Sequence, residues 1–312
     1  MHTDTTEKAY IVTGPTSGIG LATALELAKR GTVVLVGRDA ERLDHVQKRI
    51  EKQGHRAMTV VCDLSNLSSV KRAAEEIIAL HLPVAGLVNN AGIMQRPPAK
   101  NAQGWDVTFA TNYIGPFALT EALTPSLPDG ASVLFVTSGT EDPDRPSAKR
   151  TGFCGGRYLS ALDSAEGRWK PGGSKNAGFD AYATSKQAIL AAALALGSEN
   201  HRLRFNAIEP GINISTGLSR NAPPFVRFIA GYIAPLLVPL FMHFVDSLNT
   251  PKKAAQVITR LLTDPSVKTG TYYDQRGNPK IPSITAREPE FQDRVVAETR
   301  ALLATMLPQS TH

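Results

Sequence analysis

The chain has 312 residues, 42% apolar and 20% charged, a balance that excludes a disordered or collagen-like polymer and supplies a large core. The formal net charge is +6, but its 34 lysines and arginines are spread along the chain without a block, so an anionic small molecule accounts for the excess better than a nucleic acid. Cys62 and Cys154 are too few for a disulfide framework, and the seven histidines lack H-x-x-x-H spacing, so neither a disulfide scaffold nor a metal is expected.

The segment Met1-His2-Thr3-Asp4-Thr5-Thr6-Glu7-Lys8 lacks the apolar core of a secretory signal, and the expected setting is the cytoplasm. From residue 9 onward, short β-branched runs alternate with helical patterns, as in consecutive βαβ units of a parallel sheet. Strands are predicted at residues 10–13, 33–36, 57–62, 86–89, 133–137, 204–208 and 270–273. Helices are predicted at 20–29, 40–53, 67–80, 105–123, 181–199 and 251–262. Right-handed crossovers then give an α/β, doubly wound parallel sheet of the Rossmann type, with ligands at the carboxyl ends of the strands.

Two segments break the alternation. Residues 139–180 are rich in Gly, Pro, Ser and charges and form an insertion, which at that length is functional or mobile. In residues 217–248, Phe225, Phe228, Ile229, Tyr232, Ile233, Leu236, Leu237, Leu240, Phe241 and Phe244 recur at helical spacing, while Pro235 and Pro239 interrupt the run. That face either completes the core or forms an apolar substrate lid; the prolines, Arg227 and His243 argue against a membrane span. Residues 1–284, including both segments, are expected to form a single domain, followed by a C-terminal helical tail at 285–312.

After the first strand comes Thr13-Gly14-Pro15-Thr16-Ser17-Gly18-Ile19-Gly20, leading into a helix. Glycines permit a tight turn and close backbone approach, and a helix N-terminus offers unpaired N–H groups to a pyrophosphate; an ordinary βα turn would read similarly. The second strand ends Val36-Gly37-Arg38-Asp39. A carboxylate near this point hydrogen-bonds an adenosine ribose, whereas a cation compensates a 2′-phosphate, so Arg38 points to NADP(H) unless Asp39 neutralises it. Tyr182-Ala183-Thr184-Ser185-Lys186 places a phenol and an ammonium on one helix face at i, i+4, where a nearby cation lowers a phenol's pKa toward working pH.

Together with Ser138 in Val136-Thr137-Ser138-Gly139 and Asn112 in Thr111-Asn112-Tyr113, these motifs resemble the short-chain dehydrogenase/reductase family over roughly residues 8–273. The Ser-Gly-Thr start of the insertion and the P-G-x-x-x-x-T-G-L run resemble its group containing retinol dehydrogenase, protochlorophyllide reductase and daunorubicin C-13 ketoreductase. The resemblance implies an Asn112, Ser138, Tyr182, Lys186 tetrad, in which Ser138 binds a carbonyl oxygen, Tyr182 protonates it, Lys186 tunes Tyr182 and holds the nicotinamide ribose, and Asn112 positions a water.

The cofactor residues it implies are Gly14, Thr16, Ser17, Gly18, Ile19 and Gly20 in the loop, Arg38, Asp63 and Leu64, then Asn90, Ala91 and Gly92. Tyr182 and Lys186 contribute again, with Pro210, Gly211, Ile212 and Asn213 over the nicotinamide. Ser215 stands where the family's usual Thr lies, and Thr216 comes one residue later. The expected activity is NADP(H)-dependent reduction of a ketone or aldehyde on a hydrophobic small molecule. Alcohol oxidation and a catalytically silent NADP(H)-binding regulator are the alternatives. The small residues in Gln187-Ala188-Ile189-Leu190-Ala191-Ala192-Ala193 suit close helix approach, either in a homodimer or within one chain.

Overall fold

A computed structural model describes residues 8–211 and 249–306. Seven parallel strands, β1 (Ala9–Thr13), β2 (Thr32–Gly37), β3 (Ala57–Val61), β4 (Val84–Asn89), β5 (Ser132–Val136), β6 (Arg204–Ile208) and β7 (Thr271–Tyr273), form one sheet in the order β3-β2-β1-β4-β5-β6-β7. Every residue of β1 and β5 is buried, because helices cover both faces; this is why these strands read as continuous apolar runs.

On one face lie α1 (Gly18–Leu27), α2 (Ala40–Glu51) and, near the C-terminus, a helix at Pro251–Thr263, packed with Val12, Leu35 and Val88. On the other lie α3 (Leu67–Ala79), α4 (Gly115–Leu123) and α5 (Phe179–Glu199), packed with Ile11, Val133 and Phe205. The Pro251–Thr263 helix is α6, and Pro289–Met306 is α7. The strand order reverses between β1 and β4, which opens a crevice at their carboxyl ends.

The helix predicted over 105–123 begins at Val107 and runs to Leu123 with an irregular turn inside it. The Asp106 side chain accepts a hydrogen bond from Phe109 N at 2.9 Å, Ala110–Ile114 form a π-helical turn, and α4 begins at Gly115. Pro116 has no N–H to return to the Asn112 carbonyl, so a regular helix cannot run through this point. Gly115 also passes too close to another element for a side chain: a Cβ there would lie 2.0 Å from the Leu64 carbonyl oxygen.

The insertion contains three short helical turns, Gly139–Glu141, Pro146–Arg150 and Ala161–Ala165. The C-terminal segment packs back onto α5 and the insertion. Tyr113 Oη and Thr299 Oγ1 are 2.6 Å apart, Tyr158 Oη donates to Glu298 Oε2 at 2.7 Å, and Arg300 pairs with Glu121 at 3.0 Å and Glu199 at 2.9 Å. Nearly all of α5 is buried, with α7 among the elements that cover it, so its small residues serve packing within the chain. Among the described residues no helix is long and apolar enough to cross a membrane. The apolar segment 217–248 lies outside the described residues.

Candidate active site

The crevice is a groove of about 850 Å³, toward the upper end of the range for small-molecule sites. One end is the glycine loop. Gly14 has φ +66°, a left-handed conformation, and its N–H donates to Val36 O at 2.9 Å. A Cβ on Gly20 would sit 2.2 Å from Gly14 O and 2.4 Å from Asn90 Nδ2, so the loop, α1 and the β4 turn can approach only with glycine there.

Thr13 Oγ1 accepts from both Asn90 N and Ala91 N at 3.0 Å, and Asn90 Nδ2 donates to Thr13 O at 2.9 Å. These bonds lock the two turns into one wall. Among the described residues no side chain caps the first turn of α1, whereas Asp39, Asn66 and Thr250 cap α2, α3 and α6. The first-turn N–H groups of α1 therefore suit an anionic ligand, and the loop fits a dinucleotide's pyrophosphate.

Gly14, Thr16, Ser17, Gly18, Ile19, Gly20, Arg38, Asp63, Leu64, Asn90, Ala91, Gly92, Pro210 and Gly211 all line this groove. Ile212, Asn213, Ser215 and Thr216 lie outside the described residues. Asp63 Oδ1 also accepts from Ser65 N at 2.9 Å and Ser65 Oγ at 2.8 Å, so the carboxylate shapes its own turn while facing the groove. Asp39 Oδ1 accepts from Arg42 N at 3.1 Å as a helix cap, and no Arg38–Asp39 ion pair forms. Arg42, which sequence reasoning missed, lines the groove as well and donates from its guanidinium to Thr16 O at 3.1 Å. Its position one helical turn after Arg38 was the available signal.

At the other end Ser138, Tyr182 and Lys186 meet on the groove wall. Ser138 lies beside Tyr182 on the groove and weakly opposes the effect of burial; burial pushes the phenol up to about 12. Lys186 Nζ donates to Val136 O at 2.9 Å and lies 5.7 Å from the Tyr182 ring centroid, and burial brings its ammonium down to about 8. The sequence expectation of a phenol lowered by the cation is thus reversed: desolvation dominates both groups, and Tyr182 holds its proton.

Asn112 stands behind this wall. Its Oδ1 accepts from Ile93 N and its Nδ2 donates to Ile93 O, both at 2.8 Å, with a further bond from Nδ2 to Ser185 Oγ at 3.1 Å. A Cβ on Gly92 would meet Lys186 Nζ at 3.5 Å and Asn112 Oδ1 at 3.6 Å, which places the three together.

A buried ionic network at the same edge had no local motif to reveal it. Arg145, from the insertion, lines the groove and donates to Glu209 Oε2 at 2.5 Å; Tyr272 Oη donates to the same oxygen at 3.2 Å, and Lys280 pairs with it. Burial pushes the Glu209 carboxyl up, but Arg145 and Lys280 outweigh it and hold it below the usual carboxylate range. The Arg145 guanidinium lies across Gly139, where a Cβ would fall 1.7 Å from Nη1. Gly139 therefore lets the insertion close against the residue after Ser138.

A family model for short chain dehydrogenases matches residues 8–149. Mouse (Mus musculus) polyprenol dehydrogenase is 32% identical over 299 residues, covering 93% of this chain and 82% of the relative. The chain belongs to the short-chain dehydrogenase/reductase family, a family of oxidoreductases built on a nicotinamide-dinucleotide fold. Within it the chain stands with the retinol dehydrogenase-like members: retinol dehydrogenase 13 of Mus musculus is 30% identical, covering 95% of this chain and 84% of the relative. An uncharacterised protein from Mycobacterium Paratuberculosis shares the fold at 24% identity and a TM-score of 0.67, covering 96% of this chain and 94% of that one.

Proposed function

We propose that the protein is an NADP(H)-dependent oxidoreductase that reduces the ketone or aldehyde carbonyl of a hydrophobic small molecule to an alcohol. The observation that carries this reading is the meeting of Ser138, Tyr182 and Lys186 on the wall of the groove that continues to the glycine loop and Arg38. The bound nicotinamide would supply the hydride.

Tyr182, kept neutral by burial, holds a proton at Oη for the carbonyl oxygen. Ser138 Oγ, beside Tyr182 on the groove wall, orients that oxygen. Lys186, anchored on Val136 O, supplies positive charge beside the phenolate left when the proton departs. Asn112 fixes Ile93 and Ser185 around this centre, and its resemblance to the family's residue assigns it the water that restores the proton. Gly14 through Gly20 hold the pyrophosphate, while Asp63, Leu64 and Asn90 to Gly92 hold the adenosine and nicotinamide sides.

Arg38, just after β2, and Arg42, in the first turn of α2, favour the 2′-phosphate of NADP(H). The two free cysteines, Cys62 and Cys154, suit a reducing cytoplasmic setting.

The test is a panel of ketones and aldehydes scored by NADPH oxidation, with NADH alongside. Because two relatives are named for alcohols, polyprenol and retinol are assayed in the reverse direction with NADP⁺. Tyr182→Phe is expected to lower kcat by about 10²-fold or more, the range for loss of a positioned proton donor, with NADPH affinity nearly unchanged. Retained turnover would sink the assignment. Comparable efficiency with NADH would remove the cofactor preference, and NADPH binding without turnover of any compound would favour a regulator.

A further inference from the structure

Beside Tyr182 the groove wall turns aromatic. Phe153, from the insertion, lines the groove with its ring centroid 6.1 Å from that of Tyr182. It stacks on Phe179, the first residue of α5, with centroids 4.0 Å apart and planes 13° apart. The Arg96 guanidinium carbon also lies 4.0 Å from the Phe179 centroid. Two groups at that distance cannot share one face of a ring, so Phe179 is clamped between Arg96 and Phe153.

The backbone beneath is held just as firmly. Phe153 N donates to Ala148 O at 3.1 Å, and Ser174 Oγ donates to Gly152 O at 2.6 Å. Gly152 has φ +91°, and a Cβ there would fall 2.6 Å from Asn176 Nδ2. Phe179 is buried, whereas Phe153 is only half-buried and keeps part of its ring on the groove. The stack is therefore a pre-ordered wall whose own ordering cost is met before a ligand arrives.

We propose that Phe153 is a specificity-determining residue that selects aryl ketones and aryl aldehydes over saturated carbonyl compounds of the same size. This rests on the carbonyl-reductase reading of the groove. A carbonyl oxygen hydrogen-bonded to Tyr182 and Ser138 places the substituent on its carbon within reach of a ring 6.1 Å from Tyr182. A planar π substituent meets that ring in offset or edge-to-face contact and gains more than its apolar burial; a saturated ring of equal size gains the burial alone. Ala148, on the same groove, offers apolar contact to either kind.

The deciding comparison uses acetophenone and cyclohexyl methyl ketone, which differ in the saturation of one ring. Their kcat/KM values are measured with NADPH on the unaltered protein, Phe153→Leu and Phe153→Tyr, and their binding to each protein with NADP⁺ is measured by ligand-observed NMR. The acetophenone-to-cyclohexyl ratio is expected to fall about fivefold in Phe153→Leu and to be restored in Phe153→Tyr. Dividing one ketone by the other cancels any general loss of active protein, and comparing that ratio between variants cancels the difference in the ketones' intrinsic reactivity. An unchanged ratio, or equal losses for both ketones, overturns the proposal. Turnover of neither ketone counts against the carbonyl-reductase reading instead, and the binding ratio then decides the selectivity of Phe153.

Discussion

At the residue scale, the chemistry is set by how burial moves two neighbouring groups in opposite senses. Tyr182 at about 12 stays a phenol through the neutral range, while Lys186 at about 8 is on the edge of losing its charge. Below that value an ammonium faces the phenolate that forms when Tyr182 gives up its proton; above it the phenolate is uncompensated. Carbonyl reduction is therefore expected to fall as pH rises through about 8. Lys186→Arg, which keeps its charge, moves that alkaline limb upward. A kcat profile from pH 6 to 10 checks both, and an identical limb in Lys186→Arg would remove Lys186 as its source. The i, i+4 spacing made this pair visible in the sequence, but the direction of the tyrosine shift was not, because burial of a helix face is a property of what packs on it.

At the element scale, the insertion is tied to the sheet edge by buried charge. Glu141, in its first turn, is 1% exposed and accepts from Ser283 Oγ at 2.6 Å; burial pushes its carboxyl up to about 7. A carboxyl raised on folding favours the native state most below the unfolded value near 4.5 and loses that contribution as pH rises to about 7. The shift corresponds to roughly 3 kcal/mol between those limits. Glu141→Gln, which cannot ionise, is expected to raise Tm relative to the unaltered protein at pH 8 and to change it little at pH 5. Thermal unfolding at the two pH values reads this directly. The insertion was legible as an interruption in a βαβ pattern. Its three turns and its bridge from Arg145 to Glu209 were not, since the bridge joins residues 64 apart with no local motif.

At the scale of the whole molecule, α7 completes the layer outside α5. Phe291, Val295, Val296, Leu302 and Leu303 are all buried, and at about 1.5–3 kcal/mol each their loss would rival the net stability of a domain. Removing residues 289–306 also strips a partner from Tyr113, Tyr158 and Glu121. The shortened chain is expected to associate or precipitate, with light scattering as the measure. A soluble chain of unchanged Tm would show that α7 is dispensable.

The sequence by itself determined the order of strands and helices and the glycine loop, because hydrophobic patterns and tight-turn glycines are local requirements; the tetrad was legible only as a resemblance to a family pattern. It did not determine the π-helical turn around Asn112, where Pro116 lacks the N–H of a regular helix, nor the role of Arg42 on the groove. Tertiary structure alone decided that α5 packs within its own chain, that Glu209 gathers Arg145, Lys280 and Tyr272, and that desolvation outweighs charge at Tyr182. The physical reason is common to all three: desolvation and ion pairing depend on neighbours brought together from distant parts of the chain, and no local pattern encodes them.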